Sequence, residues 1–164
     1  MRADVLITTG GLSVGQGDTV KDVLAPLGSV RFDAVAMSPG RQLGVGTVEG
    51  TPIFCLPGDP VSAQIAFETF VRPVLRQIAG WSALHRSSLP ATVSAGWRSP
   101  AGKREFVPVH LTGSPTRGYR ASPVAAPGTT PLLGLARANA IAVVPEDTRT
   151  VVAGDRLHCL LLDA

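Results

Sequence analysis

The feature that most constrains this chain is a change of pattern near residue 80. Before it, short apolar runs alternate with stretches whose apolar residues recur every three or four positions. After it come short apolar runs broken by proline and glycine, with little helical periodicity. The first half reads as alternating strands and helices, the second as a compact all-β barrel or sandwich.

In the first half, Asp4–Thr8 reads as a buried strand that ends in glycines. Asp18–Leu27 places Val20, Val23, Leu24 and Leu27 on one helical face, with Asp18 as N-cap and Pro26 and Gly28 at its end. Val30–Met37 follows as a second strand, and the helix between the two predicts a right-handed parallel crossover. Leu43–Val48 and Pro52–Leu56 flank Glu49-Gly50-Thr51, a hairpin signal. The strongest helix spans Pro60–Ala79, with Phe67, Phe70, Val71, Val74, Leu75 and Ile78 on one face. Asp59 caps it, Gly80 ends it, and Pro73 kinks it by removing one backbone donor. Trp81–Ser88 reads as a linker. Beyond it, Ala91–Ala95, Glu105–Leu111, Tyr119–Ser122, Ala140–Val144 and Arg156–Leu162 read as strands, with one helical turn at Leu132–Ala138. The division is 1–80, an α/β unit; 81–88, a connection; and 89–164, a β unit.

Composition excludes several classes. At 45% hydrophobic and 16% charged residues, the chain has too much apolar and too little ionic character for disorder. No apolar run approaches the ~18 residues that cross a bilayer. Val5-Leu6-Ile7 is too short for the core of a secretion signal. A cytoplasmic chain without membrane contact is expected. The net charge of +3 is spread over scattered arginines, and aromatics are 5%, so neither a basic stripe nor stacking platforms favour nucleic acid. Cys55 and Cys159 lack metal or redox spacing and read as buried apolar residues. His85, His110 and His158 are isolated. Glu146-Asp147 reads as a solvated turn.

Three loops carry the chemistry. Thr8 to Asp18 runs from a strand end through Gly10, Gly11, Gly15 and Gly17 to a helix start. Glycines let backbone amides approach a ligand, and a helix N-terminus favours anions. An ordinary capped strand–helix turn explains the same spacing. Met37-Ser38-Pro39-Gly40-Arg41 is a second strand-end turn. Leu56-Pro57-Gly58-Asp59-Pro60-Val61-Ser62 is a third, and ordinary capping also accounts for it. In open α/β sheets, ligands bind outside the carboxyl ends of strands, so three such loops weigh more than one.

Taken together, Thr-Gly-Gly-x-Ser-Val-Gly-x-x-Asp, Pro-Gly-Arg and Leu-Pro-Gly-Asp-Pro-Val-Ser resemble the molybdopterin molybdenumtransferases, the molybdenum insertases related to the C-terminal domain of gephyrin. The segment from Gly128 to Ala140, ending Leu135-Ala136-Arg137-Ala138-Asn139, resembles the family's tail motif. The resemblance implies a three-layer α/β pterin-binding domain like that of the pterin adenylyltransferases, incomplete at its N-terminus, followed by a small all-β barrel. It implies insertion of molybdate into adenylated molybdopterin with release of AMP and with a divalent cation, Mg2+. Asp18 matches the essential acid and would bind the metal. Gly10, Gly11, Ser13 and Gly15 would contact the pterin phosphate. Pro39, Gly40 and Arg41 form the basic turn, and Pro57, Gly58, Asp59, Pro60 and Ser62 line the pocket. Arg104, with Lys103 as the alternative basic residue before Glu105-Phe106, and Thr129 complete the substrate set, Thr129 near molybdate. Ser38, Asp59 and Pro108 depart from the family pattern, and Asp59 adds negative charge beside an anion site. The family is homodimeric, and a pterin adenylyltransferase is an expected partner. A second implication is a non-catalytic molybdopterin-binding or scaffolding role. The first strand begins almost at Met1, so the chain reads as a C-terminal portion with an uncovered sheet edge that promotes association.

Overall fold

The computed structural model describes residues 3–12, 19–27, 29–125 and 132–162. The chain divides into two compact units: 1–35 with 39–85, and 36–38 with 86–164.

The first unit is built on a four-stranded sheet. Its strands are β1 (Leu6–Thr9), β2 (Val30–Ala34), β4 (Gln42–Val48) and β5 (Thr51–Leu56), in the order β1-β5-β4-β2. β1 runs parallel to β5, while β5–β4 and β4–β2 are antiparallel. β2 therefore points the same way as β1, as the crossover expectation requires, but lies at the opposite edge. The hairpin takes the two strands between them because its turn is so favourable. Val48 pairs with Thr51, and both turn residues, Glu49 (φ 49) and Gly50 (φ 80), adopt the left-handed backbone of a primed turn.

The expected strand Val30–Met37 is corrected. It stops at Ala34, and Val35 donates its N–H to the Arg41 carbonyl at 2.8 Å. The next residues form β3 (Met37–Ser38), which pairs in parallel with Arg104 and Glu105 of the second unit. One apolar run thus serves two sheets, which its composition alone does not reveal.

Helix α1 (Thr19–Leu24) continues as a 3-10 turn at Ala25–Leu27. Val20 and Leu24 pack with Leu12, Val30, Ile53 and Cys55. The long helix begins as α2 (Pro60–Ala66), passes through a π-turn at Phe67–Val71 and ends as α3 (Arg72–Ile78). Its apolar side, including Ala66, Phe70, Val71 and Val74, packs with Leu43, Phe54 and Leu56. Neighbouring β5 residues Phe54 and Cys55 thus serve different clusters, as strand alternation requires. The expected kink at Pro73 appears as a register slip. Arg72 donates to the Phe67 carbonyl five residues back, so the ladder is already out of step where proline offers no donor.

The second unit is a closed barrel. β6 (Ser88–Val93), β8 (Arg104–Ser114), β9 (Gly118–Pro123), β10 (Ala140–Val144) and β12 (Arg156–Leu161) join in the cycle β10-β12-β6-β9-β8 and back to β10. Only β6–β9 is parallel within this ring. β3 is attached to β8, and β7 (Trp97–Arg98) pairs with β11 (Thr150–Val151). Both two-residue strands escape sequence detection. Helix α4 (Leu132–Arg137) forms the expected helical turn. The core is Ala91, Val93, Trp97, Val107, Val109, Ala121, Ala140, Ala142, Val144, Val151, Leu157 and Cys159. Mostly small and branched side chains suit the narrow interior of a small barrel. Asn139 stitches the ring: its amide side chain accepts from Leu111 N at 2.7 Å and donates to Leu111 O at 3.0 Å. Both cysteines are free and buried, and burial pushes the Cys159 thiol up to about 11.

Candidate functional site

The sheet of the first unit brings its loops to one end. β1, β5 and β2 point the same way, so Thr9, Leu56 and Ala34 finish at the same edge of the sheet. The first and third loops touch. Gly10 N–H donates to the Leu56 carbonyl at 2.9 Å, and a Cβ on Gly58 would lie 3.2 Å from Gly10 Cα. Glycine is required here for two reasons. Gly10 and Gly11 have φ of 86° and 71°, and a Cβ on Gly11 would meet Val20 at 2.8 Å. The Pro39-Gly40-Arg41 turn lies at this end too, because β4 starts at Gln42 beside the end of β5, one strand spacing of roughly 4.8 Å away.

Asp59 organises the third loop. Its Oδ2 accepts from Ser62 N at 2.8 Å and Ser62 Oγ at 2.6 Å, and its carbonyl accepts from Ala63 N at 2.8 Å. Pro60 occupies the first turn, where a missing N–H is harmless. Capping of this kind is worth about 1 kcal/mol. Ser62 is buried, so the Asp59–Ser62 pair is part of the helix start. Beside this loop end, the buried Thr8 Oγ1 finds no hydrogen-bond partner among the described residues. Sequence reading passed over Thr8, since only burial makes its hydroxyl conspicuous.

Arg104 stands at the start of β8 in the second unit. Its guanidinium holds Glu146 at 2.9 Å, and both groups are about half exposed. Glu146 has its carboxyl held below the ordinary value by a hydrogen bond from its own backbone amide and then by Arg104. The turn read as merely solvated therefore engages the arginine expected to face substrate. Next to it, the buried Glu105 accepts from Trp97 Nε1 at 2.9 Å. Ser13, Gly15, Asp18 and Thr129 lie outside the described residues. Among the described residues, no three His, Cys, Asp or Glu side chains gather as metal ligands.

Comparison with known proteins decides the family. Residues 1–77 match the model of a probable molybdopterin binding domain, and residues 90–162 match that of the MoeA C-terminal region, domain IV. The chain belongs to the molybdopterin molybdenumtransferase family. It is 40% identical over 162 residues to molybdopterin molybdenumtransferase 2 of Mycobacterium tuberculosis, covering 95% of this chain and 39% of that protein. It is 31% identical over 165 residues to the Bacillus subtilis molybdopterin molybdenumtransferase, covering 98% of this chain and 37% of that protein. The molybdopterin biosynthesis MoeA protein of Pyrococcus horikoshii superposes with a TM-score of 0.79 at 25% identity, covering 99% of this chain and 38% of that chain. The chain thus spans about two fifths of the length of these relatives. No helix among the described residues is long and apolar enough to cross a membrane.

Proposed function

We propose that this member of the family takes part in molybdenum cofactor biosynthesis, supplying part of the site where molybdate enters adenylated molybdopterin and AMP leaves. The observation that carries this reading is the meeting of the Gly10–Gly11 and Pro57–Asp59 loops, with the Pro39–Arg41 turn at the same sheet end. A flat anionic heterocycle needs close backbone approach and a nearby cation. Two consecutive left-handed glycines and Arg41 offer both. The Thr8 hydroxyl, unpartnered among the described residues, supports a polar neighbour at this loop end, because leaving such a group buried and unpaired costs about 1–3 kcal/mol.

The structure refines the roles within this proposal. Gly10 has its amide committed to Leu56, so it contributes shape, and phosphate donors come from elsewhere in the loop. Asp59 and Ser62 build the start of α2 and define the wall with Pro57, Gly58 and Pro60. Ser13, Gly15, Asp18 and Thr129 keep the roles the resemblance implies, as does Arg104 as an anion contact in the second unit. The packing of α1 and α2–α3 with alternate β5 residues supports the three-layer reading of the pterin-binding domain.

Among the described residues no cluster of carboxylates stands ready for Mg2+, and Asp18, its expected ligand, lies outside them. The one carboxylate described at the loop end, Asp59, is engaged in capping. Homodimer assembly, a pterin adenylyltransferase partner and cytoplasmic location complete the proposal.

The test is molybdate insertion by a chain of the relatives' full length carrying these residues, compared with Asp18→Asn. Asparagine still caps a helix but carries no charge. The variant is expected to melt as the parent does and to lose insertion. Surviving insertion would reduce Asp18 to a cap. Molybdopterin binding by the parent without insertion would favour the scaffolding role.

A further inference from the structure

One face of the long helix has no part in either apolar cluster. It carries Gln64, Glu68, Arg72 and Arg76 at intervals of four. Glu68 is buried, with its side chain 4% exposed, and Arg72 is 14% exposed. Gln64 Nε2 donates to Glu68 Oε1 at 3.2 Å, and Arg72 Nε lies 3.7 Å from Glu68 Oε2. A charged pair this deeply placed on the outer side of a helix implies a cover.

The segment expected to be a connection is fastened to this face through Arg72 and Arg76. At Gly80 (φ 77) the chain reverses, with Gly80 N–H on Gln77 O and Trp81 N–H on Arg76 O. It then runs back along the polar stripe. Arg76 lies 4.2 Å from the centroid of the Trp81 ring and donates through Nε to the Ala83 carbonyl at 2.6 Å. Arg72 Nη1 donates to the Leu84 carbonyl at 3.1 Å. Two guanidinium groups thus grip carbonyls that would otherwise face water. Beyond this, Arg86 Nη1 donates to the Leu162 carbonyl within the second unit.

We infer that the Glu68–Arg72 pair is a latch that fastens residues 81–85 to the helix and makes them part of the first unit. The forked guanidinium is the working part. One edge is held by the buried carboxylate while another nitrogen reaches the strap, which an ammonium cannot do. The π-turn contributes too. Its wider winding, set ahead of Pro73, changes the angular offset between positions 68 and 72 from that of a regular helix. The inference is independent of the proposed catalytic reading.

Chymotrypsin cleavage at Leu84, followed by mass spectrometry on the whole chain, tests it, because cleavage reports local opening. Arg72→Lys keeps charge and bulk but loses the fork. Its cleavage at Leu84 is expected to rise about tenfold, with the thermal midpoint within a few degrees of the parent. Glu68→Gln, nearly isosteric, is expected to raise cleavage several-fold. The double variant should be cleaved no faster than Arg72→Lys alone, since both changes open one latch. Parental cleavage rates in both single variants, or additive effects in the double variant, would overturn the latch. If Arg72→Lys melts much lower than the parent, Glu68→Gln alone decides by the same criterion.

Discussion

The two units handle their sheet edges differently. The barrel returns β10 to β8, so its ring has no free edge. The sheet of the first unit ends in β1 and β2, each with one neighbour among the described residues. Exposure follows closure. The large apolar side chains standing exposed on sheet strands, Ile7 and Val45, both belong to the first unit. They flank Phe54 in a single cross-strand row. Charge divides as well: positions 86–164 carry nine Lys and Arg against five Asp and Glu, while the remaining sequence has six against seven. Closure makes a small fold self-sufficient even with a core of alanine and valine, whereas an open sheet depends on what covers it.

The largest test of this contrast separates the units. Residues 86–164 are expected to give a monomer with a cooperative thermal transition. Residues 1–85 are expected to associate and to melt without one, as read by size exclusion and calorimetry. A sharp monomeric melt for 1–85 would break the comparison.

Glycine replacements sharpen it. In Gly46→Ala the new Cβ would lie 1.9 Å from the Ser29 carbonyl, and among the described residues β2 pairs in the sheet with β4 alone. A loss of about 3 kcal/mol in denaturant melts is expected. Gly113→Ala also meets backbone, at 2.2 Å from the Gly118 carbonyl, but beside the connecting turn at the tip of the β8–β9 hairpin. Fraying there should limit the loss to about 1 kcal/mol.

An effect seen only at alkaline pH belongs to the barrel alone. The Cys159 thiol is pushed to about 11 by burial, from an ordinary 9.0. Between these values the unfolded thiol ionises while the folded one stays neutral. The folded state then binds more protons, so stability falls as pH rises from 9 to 11, by about 2 kcal/mol in all. Below pH 9 the contribution is fully present. In Cys159→Ala this alkaline slope should vanish from pH-dependent melts. A slope unchanged by the substitution would mean that other groups carry it.

Legibility in the sequence followed locality. The β4–β5 hairpin was readable because Glu49-Gly50 encodes its own turn, and α2 because Asp59, Pro60 and the apolar face agree. The barrel strands β8 and β10 were readable from their apolar runs. β3, β7 and β11 were not, since two residues carry no period and their pairing is decided by distant chain. At the site, the strand-end loops were visible as glycine and proline punctuation. The touch between Gly10 and Gly58 depends on which strand lies next to β1, and no local signal states that. The grip of Arg104 on Glu146 spans 42 positions and was equally silent.

The excursion through β3 means that neither unit is a continuous stretch of chain. The two matched family regions, 1–77 and 90–162, follow one another in sequence, yet the second unit borrows Ala36, Met37 and Ser38 from inside the first. Ribosomal synthesis completes the first region before the borrowed strand has anything to pair with. Genetic recombination at residue 85 would hand on a barrel stripped of a strand that a different gene would have to resupply. The units are therefore interleaved in sequence, like two books sharing a page.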